Sequence, residues 1–272
     1  MIRNPAVAGQ FYPFSQKSLW EEIKRLMPKK VEKREVLGAL SPHAGYQYSG
    51  KVAALTLAKI NSADTFVILG PNHSGFGENF ALVKEGIWRT PLGEVKVDNL
   101  MAKEILLNSS LLKEDPLAHE REHSIEVQLP FLQALFKDFQ IVPIAVKHYL
   151  PDENFLKICQ EVGLAISRAI KKLQEKVVII ASSDLTHYEL QEIAKKKDKK
   201  ALDAILNLNP EKLFQEIRSQ NISMCGYGPA AIMLTACKEL GAKNSKLVKY
   251  MTSGDTTGDF EQVVGYGGAI VW

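Results

Sequence analysis

Asp64-Thr65-Phe66-Val67-Ile68-Leu69 runs straight into Gly70-Pro71-Asn72-His73-Ser74-Gly75. The first half is continuously apolar from Phe66 to Leu69, as a strand covered on both faces must be. The second half is turn chemistry, Gly, Pro, Asn and Ser, with one histidine at its centre. The same pattern recurs on either side. Val36-Leu37-Gly38-Ala39-Leu40 leads into Ser41-Pro42-His43-Ala44-Gly45-Tyr46, and Val177-Val178-Ile179-Ile180 leads into Ser182-Ser183-Asp184-Leu185-Thr186-His187-Tyr188. A short apolar strand that ends in a polar, histidine-bearing turn is the repeating element of the chain.

Between these strands lie amphipathic stretches of about a dozen residues. Helices are expected over Lys51–Ile60 after a Ser49-Gly50 start, Asn99–Leu107, Ser124–Phe136, and Asp152–Leu173 with Asp152 near its cap. Pro130 must kink the third of these or begin a new turn, because it has no N–H to give. Further helices are expected over Gln191–Leu208, Glu211–Arg218 and Pro229–Leu240, and a hairpin over Thr90–Val97 broken at Leu92-Gly93. Ile141–Val146 supplies another core strand, and Leu247–Met251 and Gly267–Val271 close the chain. Strands alternating with helices predict an α/β fold with a largely parallel sheet covered on both faces. No linker, repeat or low-complexity tract divides residues 1–272, so one domain is expected.

The 272 residues are 46% hydrophobic and 24% charged, which excludes disorder as a description of the whole chain. Thirty-four Lys+Arg against 31 Asp+Glu leave a formal charge of +3, and the cations are dispersed, so no nucleic-acid partner is expected. The run Lys195-Lys196-Lys197-Asp198-Lys199-Lys200 reads as a solvated helix face. No stretch approaches ~18 uninterrupted apolar residues, so no membrane span is expected. Met1-Ile2-Arg3-Asn4-Pro5-Ala6 lacks a secretory pattern, which predicts a cytoplasmic protein. Three cysteines without CxxC spacing argue against a disulfide framework. Cys159 and Cys237 read as small core hydrophobes.

A single histidine after a strand is ordinarily structural. Three at equivalent strand ends are brought together by a parallel sheet, whose ligands gather outside the carboxyl ends of its strands. Imidazoles and carboxylates there suit a divalent metal with room for water or substrate, or else a metal-free His/Asp acid–base site. A phosphate cradle is not expected, since neither G-x-G-x-x-G nor G-x-x-x-x-G-K-[ST] occurs. His119-Glu120-Arg121-Glu122-His123 matches H-E-x-x-H in letters, but no third ligand downstream completes it. The segment is therefore expected to be a surface loop and helix opening, with His123 bordering the strand-end cleft. Cys225 in Met224-Cys225-Gly226-Tyr227-Gly228-Pro229 precedes a helix opened by Pro229. A helix N-terminus lowers a thiol's pKa, which would make Cys225 a reactive or metal-binding thiolate; a buried inert thiol is the other reading.

Several of these segments resemble, in order, the signature blocks of the Memo family, named for a mediator of receptor-kinase-driven cell motility. They are Pro5-Ala6-Val7-Ala8-Gly9-Gln10-Phe11-Tyr12-Pro13, Ser41-Pro42-His43-Ala44-Gly45-Tyr46, Gly70-Pro71-Asn72-His73, Glu122-His123-Ser124-Ile125-Glu126-Val127-Gln128-Leu129-Pro130-Phe131-Leu132, Ser182-Ser183-Asp184-Leu185-Thr186-His187 and Met224-Cys225-Gly226. The resemblance spans nearly the whole chain. It implies an α/β/α sandwich like that of class III extradiol dioxygenases, with a metal at the sheet's edge. By resemblance the metal positions are His43, His73 and Cys225, with Asp184, His187 and His123 lining the same pocket. His187 matches the dioxygenase catalytic base, and Asp184 would orient it.

Those dioxygenases hold Fe(II) through two histidines and a carboxylate, whereas Cys225 stands at the third position here. A thiolate is softer and moves preference toward copper or zinc, so Fe, Cu and Zn are all candidate cofactors. Two functions follow from the resemblance. One is a metal-dependent oxidoreductase acting on a small-molecule or peptide ligand. The other is a non-catalytic binding module that captures a peptide or partner protein in the same pocket. Prokaryotic members of the family accompany a radical-SAM protein and an AMMECR-type protein, which are the partners the resemblance implies.

Overall fold

A computed structural model describes residues 1–272. The chain opens with β1 (Ile2–Arg3), α1 (Gln16–Leu26), β2 (Gly38–Ser41), α2 (Tyr46–Leu57) and β3 (Thr65–Asn72). Three short strands follow, β4 (Phe80–Leu82), β5 (Ile87–Thr90) and β6 (Gly93–Val97), then α3 (Asn99–Leu107) and β7 (Lys113–Glu114). The middle of the chain forms α4 (Leu129–Leu135), β8 (Gln140–Lys147), α5 (Glu153–Leu173) and β9 (Val177–Ser182). The remainder is β10 (His187–Glu189), α6 (Gln191–Leu206), α7 (Pro210–Ser219), α8 (Tyr227–Glu239), β11 (Ser245–Thr252), α9 (Gly254–Thr257) and β12 (Val263–Val271).

One sheet of 12 strands carries the fold. Its centre, β6-β8-β3-β9-β2, is parallel throughout. Antiparallel strands flank it, with β5 on β6 at one side and β12 on β2 at the other. The apolar run at 66–69 serves both faces by simple alternation. Val67 and Leu69 enter one core with α3, α5 and α8, while Phe66 and Ile68 enter another with α1, α2 and α4. Val177, Ile179 and Ala181 of β9 join the first core, and Val178 and Ile180 the second. Period-2 geometry thus turns a uniformly apolar strand into the middle layer between two sets of helices.

The strand order decides which turns meet. β9 lies between β3 and β2, so their carboxyl ends sit on either side of it. β9 thus intervenes between β2 and β3 without separating their turns. Helix starts also move. α2 begins at Tyr46 behind Gly45, five residues before the expected Lys51. The stretch Ser124–Phe136 divides into a short 3₁₀ turn at Glu126–Gln128 and then α4, where Pro130 occupies the second helical position and has no intrahelical donor to lose. Asp152 caps α5 by accepting from the Phe155 N–H, as expected. α1 was not anticipated; Ser15 caps it and Leu19 and Ile23 bury its inner face. Cys159 and Cys237 are both fully buried in the first core. Lys195, Lys196, Lys199 and Lys200 are solvated on α6, but Asp198 among them turns inward and accepts from the Thr186 N–H and Tyr250 hydroxyl. No helix is long and apolar enough to cross a membrane.

The N-terminal segment is tied to the centre by ionic contacts. Arg3 Nη1 meets Glu126 Oε2 at 2.6 Å with both side chains essentially inaccessible. The same carboxylate accepts from the N–H groups of Ala6 and Val7 and from the Tyr12 hydroxyl. Arg3 also donates to the carbonyls of His119 and Glu122. Removing one member of a buried ion pair strands the other charge, at a cost of about 3–5 kcal/mol. Glu126→Ala should therefore lose about that much in urea unfolding, and a loss under ~0.5 kcal/mol, the scale of an ordinary surface change, would refute the anchoring role.

Candidate metal centre

Each of the three anticipated turns delivers a histidine whose ring is fixed by a partner on its Nδ1 edge. His43 stands two residues beyond β2, is nearly inaccessible, and places Nδ1 3.0 Å from Ser182 Oγ at the end of β9. Ser182 spends its one hydroxyl proton on the Ser124 carbonyl and accepts from Gln128 Nε2. The proton on the His43 edge must then belong to the imidazole, leaving Nε2 as the lone pair. Gln128 is itself oriented by the Pro42 carbonyl, which can only accept, and by the Ser41 hydroxyl.

His73 immediately follows β3. Its Nδ1 lies 3.0 Å from Glu122 Oε1, and its backbone N–H donates to Glu122 Oε2. His123 stacks on His73 with ring centroids 4.7 Å apart and lies edge-on to His43 at 5.5 Å. Ligand atoms of His43, His73 and His123 all fall within 4.8 Å of one another, so this group could hold a metal ion. The donor chemistry fits, since imidazole suits Fe, Cu and Zn alike.

The electrostatics favour neutral, ligating rings at two of the three positions. Burial pushes His43 well below the usual imidazole range, and repulsion from His123, His73 and His187 adds to it. Burial likewise lowers His123 to about 4, against the pull of Glu122. For His73 burial also acts downward, but the hydrogen bond and charge of Glu122 outweigh it and the net shift is upward. Burial tends to raise Glu122, yet His73, His123 and the Ser124 N–H bring it down to about 2.

Cys225 stands beside this group. Its Sγ is 3.2 Å from His43 Nε2 and accepts from the Asp184 N–H at 3.3 Å. The adjoining Gly226 leaves no room for a side chain, since a Cβ there would lie 2.5 Å from the Ser182 carbonyl oxygen. That close approach is what lets the 224–226 turn bring its thiol to the histidines. The helix it precedes begins at Tyr227, not at Pro229. Burial, with the Asp184 carboxylate adding, raises the thiol's pKa instead of lowering it. The expected thiolate is therefore not favoured in the metal-free protein, because desolvation exceeds the pull of the helix end.

Asp184 is buried and raised to about 6, mainly by desolvation, against the His43 N–H, His187, His73 and the Ala44 N–H. Its Oδ1 accepts from the His43 backbone N–H at 2.8 Å. It thus secures the His43 turn, whereas the sequence reading gave it the orientation of His187. His187 is held by Ser223, which accepts from the backbone N–H through Oγ and from ring Nδ1 through its carbonyl at 2.9 Å. A carbonyl only accepts, so Nδ1 carries a proton and Nε2 is free to take one. Ser223 was not singled out in the sequence, and neither was Glu122 as a partner of two rings.

His119 corrects the surface-loop expectation. It is fully buried, packs edge-on against Trp88, and places Nε2 3.2 Å from the Ala81 carbonyl. Residues 120–125 are not helical, so His119 and His123 never share a helix face and the H-E-x-x-H geometry is absent. His123 does reach the cleft, as expected. The cavity over the histidines has a volume of about 320 Å³ and is walled by Phe11, Tyr48, Tyr188 and Tyr266, with Asp184 and His187 in its lining. No Lys or Arg lines it.

A mixed α/β sheet with a histidine cluster at its strand ends defines the class, and the comparisons give the family. The model of the Memo-like protein family matches residues 3–270. The chain is 48% identical over 272 residues to a MEMO1 family protein of Methanococcoides burtonii, covering 99% of this chain and 100% of that one. A MEMO1 family protein of Methanosarcina mazei is 47% identical over 272 residues, with 99% of each chain covered. This chain belongs to the Memo family. Among solved structures, an uncharacterized Escherichia coli K12 protein superimposes with a TM-score of 0.57 at 10% identity, covering 86% of this chain and 98% of that one. That likeness supports the α/β fold.

Two measurements test the electrostatics. The thiolate is the form that alkylates, so Cys225 of the metal-free protein at about pH 8 should react more slowly than an unperturbed thiol, whose pKa is about 8.5. Peptide mapping would read it, with buried Cys159 and Cys237 inert; rapid labelling of Cys225 would refute the burial argument. His119 falls from the usual 6.5 to about 4, chiefly through burial. Its neutral form contributes stability above the unfolded pKa, and this is lost as pH falls from about 6.5 to about 4, by up to ~3 kcal/mol. His119→Gln should flatten unfolding stability across that window, and an unchanged slope would discount the shift.

Proposed function

We propose that the chain is a metal-dependent oxidoreductase whose ion is held by His43 and His73, with Cys225 or His123 completing the set. The observation that carries this reading is the convergence of three imidazoles from three separate segments on one point. On this reading the fold is of the class III extradiol dioxygenase kind, an α/β/α sandwich in which the carboxyl ends of β2 and β3 present the ligands. Iron or copper bound there would supply Lewis acidity and electron exchange.

The chain's own residues do the rest. His43 and His73 offer Nε2 lone pairs because their Nδ1 edges are occupied by Ser182 and Glu122. His187 offers a third free Nε2 at the pocket wall and serves as the proton acceptor, with Ser223 fixing its tautomer. Asp184 keeps the His43 turn in place. Phe11, Tyr48 and Tyr188 form an aromatic wall that limits water and admits a small molecule or a single peptide side chain.

Cys225 favours a second reading, in which the pocket captures a ligand without turnover. A protonated, desolvated thiol stands where the dioxygenases have a carboxylate, and it must lose a proton before it can ligate.

The wild-type protein should bind one equivalent of Fe(II), Cu(II) or Zn(II) by calorimetry, and His43→Ala/His73→Ala should not. Equal affinity in both would sink the metal site. Comparing Cys225→Ala with His123→Ala identifies the third ligand by which variant loses more affinity. Substrate-dependent oxygen consumption that disappears in His187→Gln would support the oxidoreductase; ligand binding with no turnover in the iron- and copper-loaded protein would support capture.

A further inference from the structure

We propose that Glu122 is the positioning carboxylate of this centre, one buried acceptor that turns His73 to present Nε2 inward and, through the stacking of His123 on that ring, aligns the second imidazole with it. The inference rests on the metal reading above and assigns a role to a residue that holds no ion itself.

The geometry is that of a carboxylate accepting three hydrogen bonds, two of them from His73. Glu122 is 1% exposed. Its Oε1 takes the Ser124 N–H at 2.8 Å and the His73 Nδ1 at 3.0 Å, with His123 Nδ1 at 3.5 Å. Its Oε2 takes the His73 backbone N–H at 2.5 Å. The two backbone bonds alone would describe a loop anchor. Facing two imidazole Nδ1 edges with the same oxygen is a different arrangement. The hydrogen bond holds the His73 ring, and His123 stacks on that ring with its own Nδ1 edge toward the same oxygen. Arg3 donates to the Glu122 carbonyl at 2.6 Å, which holds the residue's backbone as firmly as its side chain.

The two rings are held unequally. His73 is within hydrogen-bond distance and His123 lies just beyond it. Glu122 therefore holds His73 by a hydrogen bond and His123 only by charge, with stacking on His73 supplying the rest. A carboxylate on the far nitrogen also raises the basicity of a ligating imidazole, and losing such a partner ordinarily costs 10–100-fold in metal affinity. An amide cannot substitute. With its oxygen at Oε1, the Gln amino group would confront the His73 backbone N–H, donor against donor. Flipped, it would confront Nδ1–H and turn the His73 proton toward the ion.

Two experiments decide this. First, zinc affinity of the metal-stripped protein is measured by competition with a chromophoric chelator, and Cu(II) electron paramagnetic resonance counts the ligating nitrogens. Glu122→Gln should bind zinc about 10–100-fold more weakly and show fewer equivalent nitrogens, with partial recovery in Glu122→Asp. Asp98→Asn is the control. Asp98 is as buried, but it caps α3 and meets Thr65 at the opposite end of β3. That variant should lose thermal stability while keeping wild-type affinity and nitrogen count. Zinc affinity and nitrogen count unchanged in Glu122→Gln overturn the proposal. Wild-type protein that binds no zinc overturns the metal centre itself, a failure told apart because only then is wild-type binding absent. Second, imidazole ¹⁵N NMR of metal-free wild type, read on the neutral-ring signals at alkaline pH, should place the His73 proton on Nδ1. This reading needs no variant to fold, and an Nε2–H tautomer for His73 overturns the proposal.

Discussion

Buried polar groups must be paired, and in this protein that requirement is concentrated in residues 122–128. Burying an amide, hydroxyl or carboxylate without a partner costs several kcal/mol, so a segment carrying Glu122, Ser124, Glu126 and Gln128 inside the molecule can adopt few arrangements. The one it adopts meets nearly every demand at once. Glu122 faces the turn after β3, and Gln128 bridges the end of β2 to Ser182 at the end of β9. Glu126 holds the N-terminal segment through Arg3, Tyr12 and two N–H groups. Three strand ends and the chain's first residues are thus referred to one short, irregular stretch. The apolar layers position the sheet, but this polar stretch positions what grows from it.

The pocket repeats one device. His43, His73 and His187 each give Nδ1 to a partner belonging to a different segment: a serine hydroxyl, a carboxylate and a backbone carbonyl. The partners differ in chemistry but have the same consequence in the neutral ring, a proton on Nδ1 and a lone pair on Nε2, which in His43 faces the Cys225 thiol. Such control is available only where the partner's own protons are committed elsewhere, as Ser182's is to the Ser124 carbonyl. The fixed tautomers are therefore a property of the hydrogen-bond network and not of any one residue.

That distinction explains what could be read from the sequence. The strands at 66–69 and 177–180 declare themselves because two-sided burial demands unbroken apolar runs, and the turns after them are equally plain in Gly, Pro and Asn. From these the sheet, its helical cover and the meeting of His43 with His73 follow. Helix α1 was also legible in principle, since Ser15 precedes Leu19 and Ile23 at helical spacing. What was not legible depends on distance in the chain. Glu120 and Glu122 look alike in sequence, and only the fold buries the second beneath His73. His119 and Asp198 looked like surface residues because their neighbours are charged, yet both turn inward, His119 together with Glu122 of the same run. Of the two readings of Cys225, the thiolate one is disfavoured for a related reason: proximity to a helix start is visible in sequence, whereas the desolvation that outweighs it is not.

The pocket's walls include Gln10 and Phe11 near one end of the chain and Val264 and Tyr266 near the other. Arg3 reaches Glu126 across 123 residues, and β2 cannot be covered on its outer side until β12 has formed. The cavity is therefore closed by contacts of long sequence separation, the kind that form slowly. A nascent chain shows its histidines to solvent long before it can arrange them. Order of synthesis thus separates the appearance of the histidine side chains from the appearance of the pocket, and a metal ion meeting them early would find imidazoles with neither tautomer control nor a wall of aromatic rings.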